Sequence, residues 1–267
     1  MLINEIKTKI MVFGSNEEVI IEFNNKIIEQ VIQYKVLGCI LHSVHRVNSD
    51  PFKMNYDCLC DQARKSLFSV KQKLKVIGPI PPQTMFYIFN SLLKPIITYG
   101  SDVCGINKSG RGVIDKYFVQ FAKHVLGVKQ STSTLMVLGE SGQLLPSTSC
   151  IYNTVTFLNR VQCMNDSLLV KQVYNDSYRL HECGFHTWCS EAWGLFNGYN
   201  LQINSNQNKL TNYAKITIQN DFKTKWLDGV RDINANPGAR KYTLYKRKFG
   251  MELYMHKVSF PKYNIFQ

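Results

Sequence analysis

Two prolines thirteen residues apart, Pro82 and Pro95, constrain this chain more than any other feature. Between them Met85, Ile88, Phe89 and Leu92 recur at three- and four-residue spacing, the stripe of a helix pressed on a core. Proline is tolerated in a first helical turn, so Pro82 can open that helix. Inside a helix proline removes a donor and clashes with the preceding turn, so the spacing predicts a kink or restart at Pro95. Beyond it, Tyr99-Gly100-Ser101 reads as a tight turn that Gly100 makes possible. The stretch is too short, with Lys94 inside it, to span a bilayer.

At 267 residues, 45% hydrophobic and 19% charged, the chain can bury one sizeable core or two small ones. Lys and Arg outnumber Asp and Glu by 32 to 19, a net charge of +13, which makes a polyanion the first partner to consider. Twelve of those cations and four of the acids follow residue 207, so a surplus of eight sits in the last sixty residues. Eight irregularly spaced cysteines do not form a disulfide framework, and no charged-then-apolar leader precedes Met1. The expectation is an intracellular protein, in nucleus or cytoplasm, with reduced thiols and no membrane partner.

Taken in order, residues 1–41 read as extended: Ile10 to Phe13, a Gly14-Ser15-Asn16 turn, Val19 to Phe23, an Asn24-Asn25 turn, then 26–32 and 36–41. Short β-branched runs between Asn and Gly turns predict a small antiparallel meander that needs a partner to pack on. From 55 to 76 the stripe Leu59, Ala63, Leu67, Val70, Leu74 is the clearest amphipathic helix. Arg64, Lys71 and Lys75 fall on another face with Lys65 and Lys73 flanking, a pattern suited to a sugar-phosphate backbone. Residues 107–112 read as a loop before a helix over 113–127, and a further helix is predicted over 150–164. His181, Cys183, His186 and Cys189 put four possible zinc ligands in nine residues. Their spacing lacks the usual long connector between ligand pairs, so the expectation is no metal site. The whole is expected to be mainly α with a small N-terminal antiparallel β-meander: a sheet over 1–48, a helical bundle over 49–165 and a basic helical region over 166–267.

Several blocks resemble one family. Phe89, Leu92, Leu93, Pro95, Ile96, Tyr99, Gly100, Ser101, Asp102 and Val103 are similar to the segment after the catalytic palm of LINE-type (non-LTR) retrotransposon reverse transcriptases. Asn4, Lys7, Thr8, Lys9, Met11 and Phe13 resemble that family's motif after the catalytic carboxylates, and Tyr34-Lys35-x-Leu37-Gly38 its following hairpin. Leu126-Gly127-Val128, Val137 to Pro146, Phe222 to Trp226 and 239–254 resemble later blocks, and Pro261-Lys262-Tyr263 continues the last of them. Cys104-Gly105 stands where the family usually has a Trp, and Ser141 where it usually has a leucine.

The resemblance implies the palm edge, thumb and downstream part of such an enzyme. The hairpin would grip a primer end, and Lys7 would correspond to the lysine proposed to protonate the leaving pyrophosphate. The family's aromatic-x-Asp-Asp motif, which holds the Mg²⁺ of the full-length polymerase, has no counterpart here, since no Asp-Asp pair occurs. The chain is therefore expected to be catalytically inactive alone, with no cofactor of its own. It would bind RNA or an RNA–DNA hybrid, with an upstream polymerase portion as a further partner. The expected contacts are Lys7, Lys9, Tyr34, Lys35, Gly38, Arg64, Lys65, Lys71, Lys75 and the tail cluster Arg240, Lys241, Lys246, Arg247, Lys248. In that tail Tyr242, Tyr245 and Phe249 are interleaved for stacking on single strands. The alternative is a non-enzymatic protein–protein module derived from such an element.

Overall fold

A computed structural model describes residues 7–13, 17–43, 52–78, 80–232, 234, 236, 239 and 241–256. Asn4, the 14–16 turn, Arg240, the 261–263 block and the Lys75 side chain lie outside the described residues.

Among the described residues the chain is mainly helical, with antiparallel strands only near the N-terminus. Two hairpins form there: β1 (Glu22–Phe23) with β2 (Lys26–Ile27), and β3 (Gln33–Val36) with β4 (Cys39–His42). Both turns need two residues at positive φ. Asn24 and Asn25 supply them in the first, as short polar side chains can, and Leu37 with Gly38 in the second. The expected small antiparallel meander takes the form of two separate ribbons, with residues 36–41 divided between β3 and β4 by the Leu37-Gly38 turn. Ile10 joins only by an isolated parallel bridge to Gln30.

Helices follow: α1 (Lys53–Ile77), α2 (Pro82–Ile88), a π-helical segment (Phe89–Leu93), α3 (Lys94–Ile97) and α4 (Ser101–Cys104). Pro82 is the first residue of α2, and the disruption expected at Pro95 takes the form of the π segment just before it. The Lys94 N–H bonds the Phe89 carbonyl, five residues back, so the ladder widens where Pro95 has no donor to give. That wider turn moves the buried stripe. Met85, Phe89, Leu93 and Ile97 are buried at steps of four, whereas Leu92, expected inside, is exposed.

Next come α5 (Lys108–Val125), α6 (Thr134–Ser141), α7 (Pro146–Gln162), α8 (Leu169–Glu182), α9 (Trp188–Gly198), α10 (Gln207–Arg231), α11 (Tyr242–Tyr245) and a 3₁₀ turn (Leu253–His256). Two apolar clusters result. The first gathers Tyr56, Phe86, Phe89, Phe118 and Phe121 with Val137 and Leu138 of α6. Trp226, Val230 and Met255 close it from the C-terminal side. The second gathers Val155, Leu158, Tyr174, Phe196, Leu210 and Ile218. α10 belongs to both, so this C-terminal helix is woven into the core built by the helices before it.

Asp115 ties α5 to the start of α7, where its carboxylate accepts the Ser147 N–H at 2.9 Å. Burial pushes this carboxyl up to about 6, against the pull of the Ser147 hydrogen bonds and of Arg111. A carboxyl raised above its unfolded value holds its proton more tightly in the fold. Its contribution to stability is therefore full below about pH 4 and is lost as pH rises through about 6. Asp115→Asn keeps an acceptor for Ser147 and removes the charge. It is expected to stabilise the fold by on the order of 1–2 kcal/mol near pH 8 and to change little near pH 4. Urea melts at the two pH values read this directly, and a loss of stability at the higher pH would contradict it.

Candidate nucleic-acid interface

The turn from Tyr99 to Gly105 is the joint at which separate parts of the chain meet. Gly100 has φ +69, and a Cβ there would lie 2.7 Å from Cys39 Sγ, so β4 packs directly on the turn. The Tyr99 hydroxyl donates to the Leu37 carbonyl at 2.6 Å and its ring lies over Gly38. From the other side Trp188 donates to the Val103 carbonyl, Asn153 to Ser101 Oγ, and Tyr56 to the Cys104 carbonyl. The hairpin block and the Tyr99-Gly100-Ser101 block, some sixty residues apart in sequence, are thus in contact.

On this hairpin Lys35 is exposed and Tyr34 donates its hydroxyl to the Lys7 carbonyl. Lys7 is itself exposed, and Lys9 is paired with Glu29 at 2.5 Å. The turn holds Leu37 out in solvent, 88% exposed and at positive φ. An apolar side chain in that conformation costs about 1–2 kcal/mol, and the Tyr99 hydrogen bond to its carbonyl fixes it there.

α1 presents its charge differently from the expectation. Arg64 and Lys71 are seven residues, almost two turns, apart and lie at the flank of the buried stripe rather than opposite it. Lys71 leans inward, half-buried, with Nζ 3.2 Å from His124 Nε2, and burial lowers its pKa. Arg64 is exposed, pairs with Asp61 and reaches over the Tyr117 ring at 5.6 Å. The solvent face proper carries Lys65, Phe68, Ser69 and Gln72, with Lys73 exposed at its edge on the side away from Arg64 and Lys71. Among the described residues neither Lys65 nor Lys73 pairs with a carboxylate.

In the tail Lys241, Arg247 and Lys248 are exposed, but Lys246 is not. It is 6% exposed, donates to the Gly250 carbonyl at 2.7 Å and pairs with Glu252, so it closes a turn instead of facing a ligand. Two of the three interleaved aromatics are also occupied. Phe249 packs edge-on against Trp226 at 5.3 Å, and Tyr242 donates to Glu140 at 2.9 Å, which with burial drives its pKa upward. Tyr245 alone of the three stands open to solvent. The composition that suggested stacking mostly anchors the tail to α6 and α10.

The four His and Cys residues do not converge. His181 Nδ1 faces Ser190 Oγ at 2.9 Å, His186 pairs with Glu191 at 2.8 Å, Cys183 is exposed and Cys189 is fully buried. Among the described residues no group of three or more His, Cys, Asp or Glu could hold a metal ion. They therefore offer no fit for the Mg²⁺ that the resemblance implies for the full-length polymerase. Among them, too, no helix is long and apolar enough to cross a membrane.

Comparison with family models, with curated proteins and with solved structures gave no match.

One surface escaped the sequence reading. α8 turns Lys171 and Tyr174 inward, where Lys171 Nζ donates to the Gln162 carbonyl at 2.9 Å and lies over the Tyr174 ring. Leu169, Val173 and Leu180, with Phe185 just beyond, face solvent. Their four- and seven-residue spacing is readable in the sequence, but a stripe of that kind is ordinarily assigned to the core.

Proposed function

We propose that this chain is a non-catalytic nucleic-acid-binding piece, similar to the downstream part of a LINE-type reverse transcriptase, that holds RNA or an RNA–DNA hybrid by its phosphates. The observation that carries the reading is the outer face of α1, where Lys65 and Lys73 stand exposed without carboxylate partners among the described residues. Unpaired ammonium groups along one rigid helix suit a periodic polyanion, and they position without reading sequence. Lys35 on the hairpin and Lys241, Arg247 and Lys248 on the tail supply further exposed cations. Lys7 enters only as the family-implied leaving-group acid, and RNA-directed DNA synthesis only as the parent activity.

Lys65→Gln with Lys73→Gln is expected to weaken hybrid binding about ten- to a hundredfold near 0.1 M salt, the loss of roughly two phosphate contacts. Its melting temperature should stay unchanged. Lys246→Met should do the reverse, lowering the melting temperature because it removes the bonds to the Gly250 carbonyl and Glu252 that close the tail turn. Equilibrium titration with a labelled hybrid, beside thermal melts, separates the two. Undiminished binding by the double variant would overturn the assignment to α1.

The outward apolar face of α8 favours a second reading, a module that binds a protein partner. Such binding would persist at high salt, where phosphate contacts fail.

A further inference from the structure

Away from the α1 face, a cleft of about 390 Å³ opens between the π segment with α3, the start of α7 and the middle of α10. Lys94 reaches it from α3 and Lys215 from α10; Ser149, Tyr152 and Gln219 add polar groups from the other walls. No Asp or Glu lines it. Among the described residues neither lysine pairs with a carboxylate, and the side chains of Ser149, Tyr152 and Gln219 donate no hydrogen bond. Two cations and three residues with unused donors line one concave space. We propose that this cleft is a binding site for a phosphate group, carried on a free nucleotide-sized compound or on a nucleic-acid strand.

The local chemistry makes an anion the fitting occupant. Lys94 is drawn out of water by its own packing, and both that burial and the nearby Lys215 charge lower its pKa. A partly desolvated ammonium with a second, exposed one near it disfavours the empty state, and one phosphate would pair with both. The first turn of α7, a 17-residue helix, forms one wall, so the positive end of its dipole adds to the same field. The π segment contributes the geometry. By widening the turn before Pro95 it rotates Leu93 into the core and leaves Lys94 on the cleft side. The volume exceeds what phosphate alone needs and falls in the range of small-ligand sites, leaving room for an attached sugar.

The site is separate from the outer face of α1, so its test does not depend on the function proposed above. The full chain is titrated with inorganic phosphate, with adenosine 5′-monophosphate and with a 5′-phosphorylated RNA pentanucleotide, at constant ionic strength. The same titrations are run on Lys94→Met, Lys215→Gln and the control Lys116→Gln, with binding read by calorimetry. At least one probe is expected to bind the parent chain and to lose about tenfold or more in affinity in each cleft variant, with no change in the control. Loss for phosphate or the mononucleotide identifies a free ligand, and loss for the oligonucleotide alone identifies a strand. As a second readout, Lys94→Met should melt higher than the parent in chloride, because it removes an opposed charge. If no probe distinguishes the cleft variants from the control, or if Lys94→Met melts lower, the proposal is overturned.

Discussion

Gly110→Ala is expected to destabilise the fold by about 3 kcal/mol or more, while Gly112→Ala, two residues along the same helix, stabilises it by about 0.5–1 kcal/mol. The difference lies in what surrounds each position. A Cβ on Gly110 would sit 2.0 Å from Cε2 of Tyr56, and one on Gly112 meets nothing within 4 Å. The Tyr56 ring cannot swing away, being 1% exposed and held by its hydroxyl bond to the Cys104 carbonyl at 2.6 Å. Accommodating the methyl would either break that bond, leaving a buried hydroxyl unpaired, or push α5 off α1. Gly112 has only its helix propensity to lose or gain, and Ala is the better helix former. Opposite shifts of the two denaturation midpoints are the expected result. Shifts of the same sign would contradict the α1–α5 contact.

Trp226→Ala is expected to cost about 3–5 kcal/mol, the range for deleting a large buried aromatic. Trp226 is 2% exposed and fastens α10 to α6 through its Nε1–H, which donates to the Leu135 carbonyl at 2.7 Å. It packs so near α6 that a Cβ on Gly139 would lie 2.5 Å from its ring, and Phe249 of the tail meets it edge-on. Its loss should therefore loosen the tail as well, and amide exchange over residues 241–256 should rise. Trp193→Ala is the comparison, since Trp193 is only half-buried, with Nε1 on the Tyr174 hydroxyl at 3.0 Å. Circular dichroism melts in urea rank the two. A Trp226 variant less than about 1 kcal/mol below the parent would show that the second cluster holds α10 unaided.

The overall character of the chain was readable because it rests on periodicity and on the two strongest backbone residues. The stripe at Leu59, Ala63 and Leu74 is buried, and Pro82 and Gly100 sit where proline and glycine physics puts them. What misled the reading depended on contacts between distant residues. Gly110 and Gly112 looked like a loop, yet α5 begins at Lys108 with Asn107 accepting the Gly110 N–H at 2.7 Å. Glycine is needed at 110 because Tyr56, fifty-four residues earlier, occupies the space. Leu92 and Leu93 exchanged places because a π turn shifts the register by one residue, which no fixed helical period anticipates. Among the candidate contacts, composition could say that Lys246 lies in a basic tail but not that Glu252 and Gly250 would draw it inside. Lys71 was displaced for the same reason, by its approach to His124.

The most direct test of the central claim is the salt dependence of hybrid binding by the unmodified chain. The logarithm of the binding constant is measured against the logarithm of salt concentration between about 50 and 200 mM. Each phosphate contact contributes roughly 0.7–0.9 to the slope, so a grip through several exposed cations requires a steep negative line. Lys65→Gln with Lys73→Gln should flatten it by nearly two units. The expected result is a slope steeper than about −3 for the unmodified chain. Binding that keeps its strength across the whole salt range would contradict the claim.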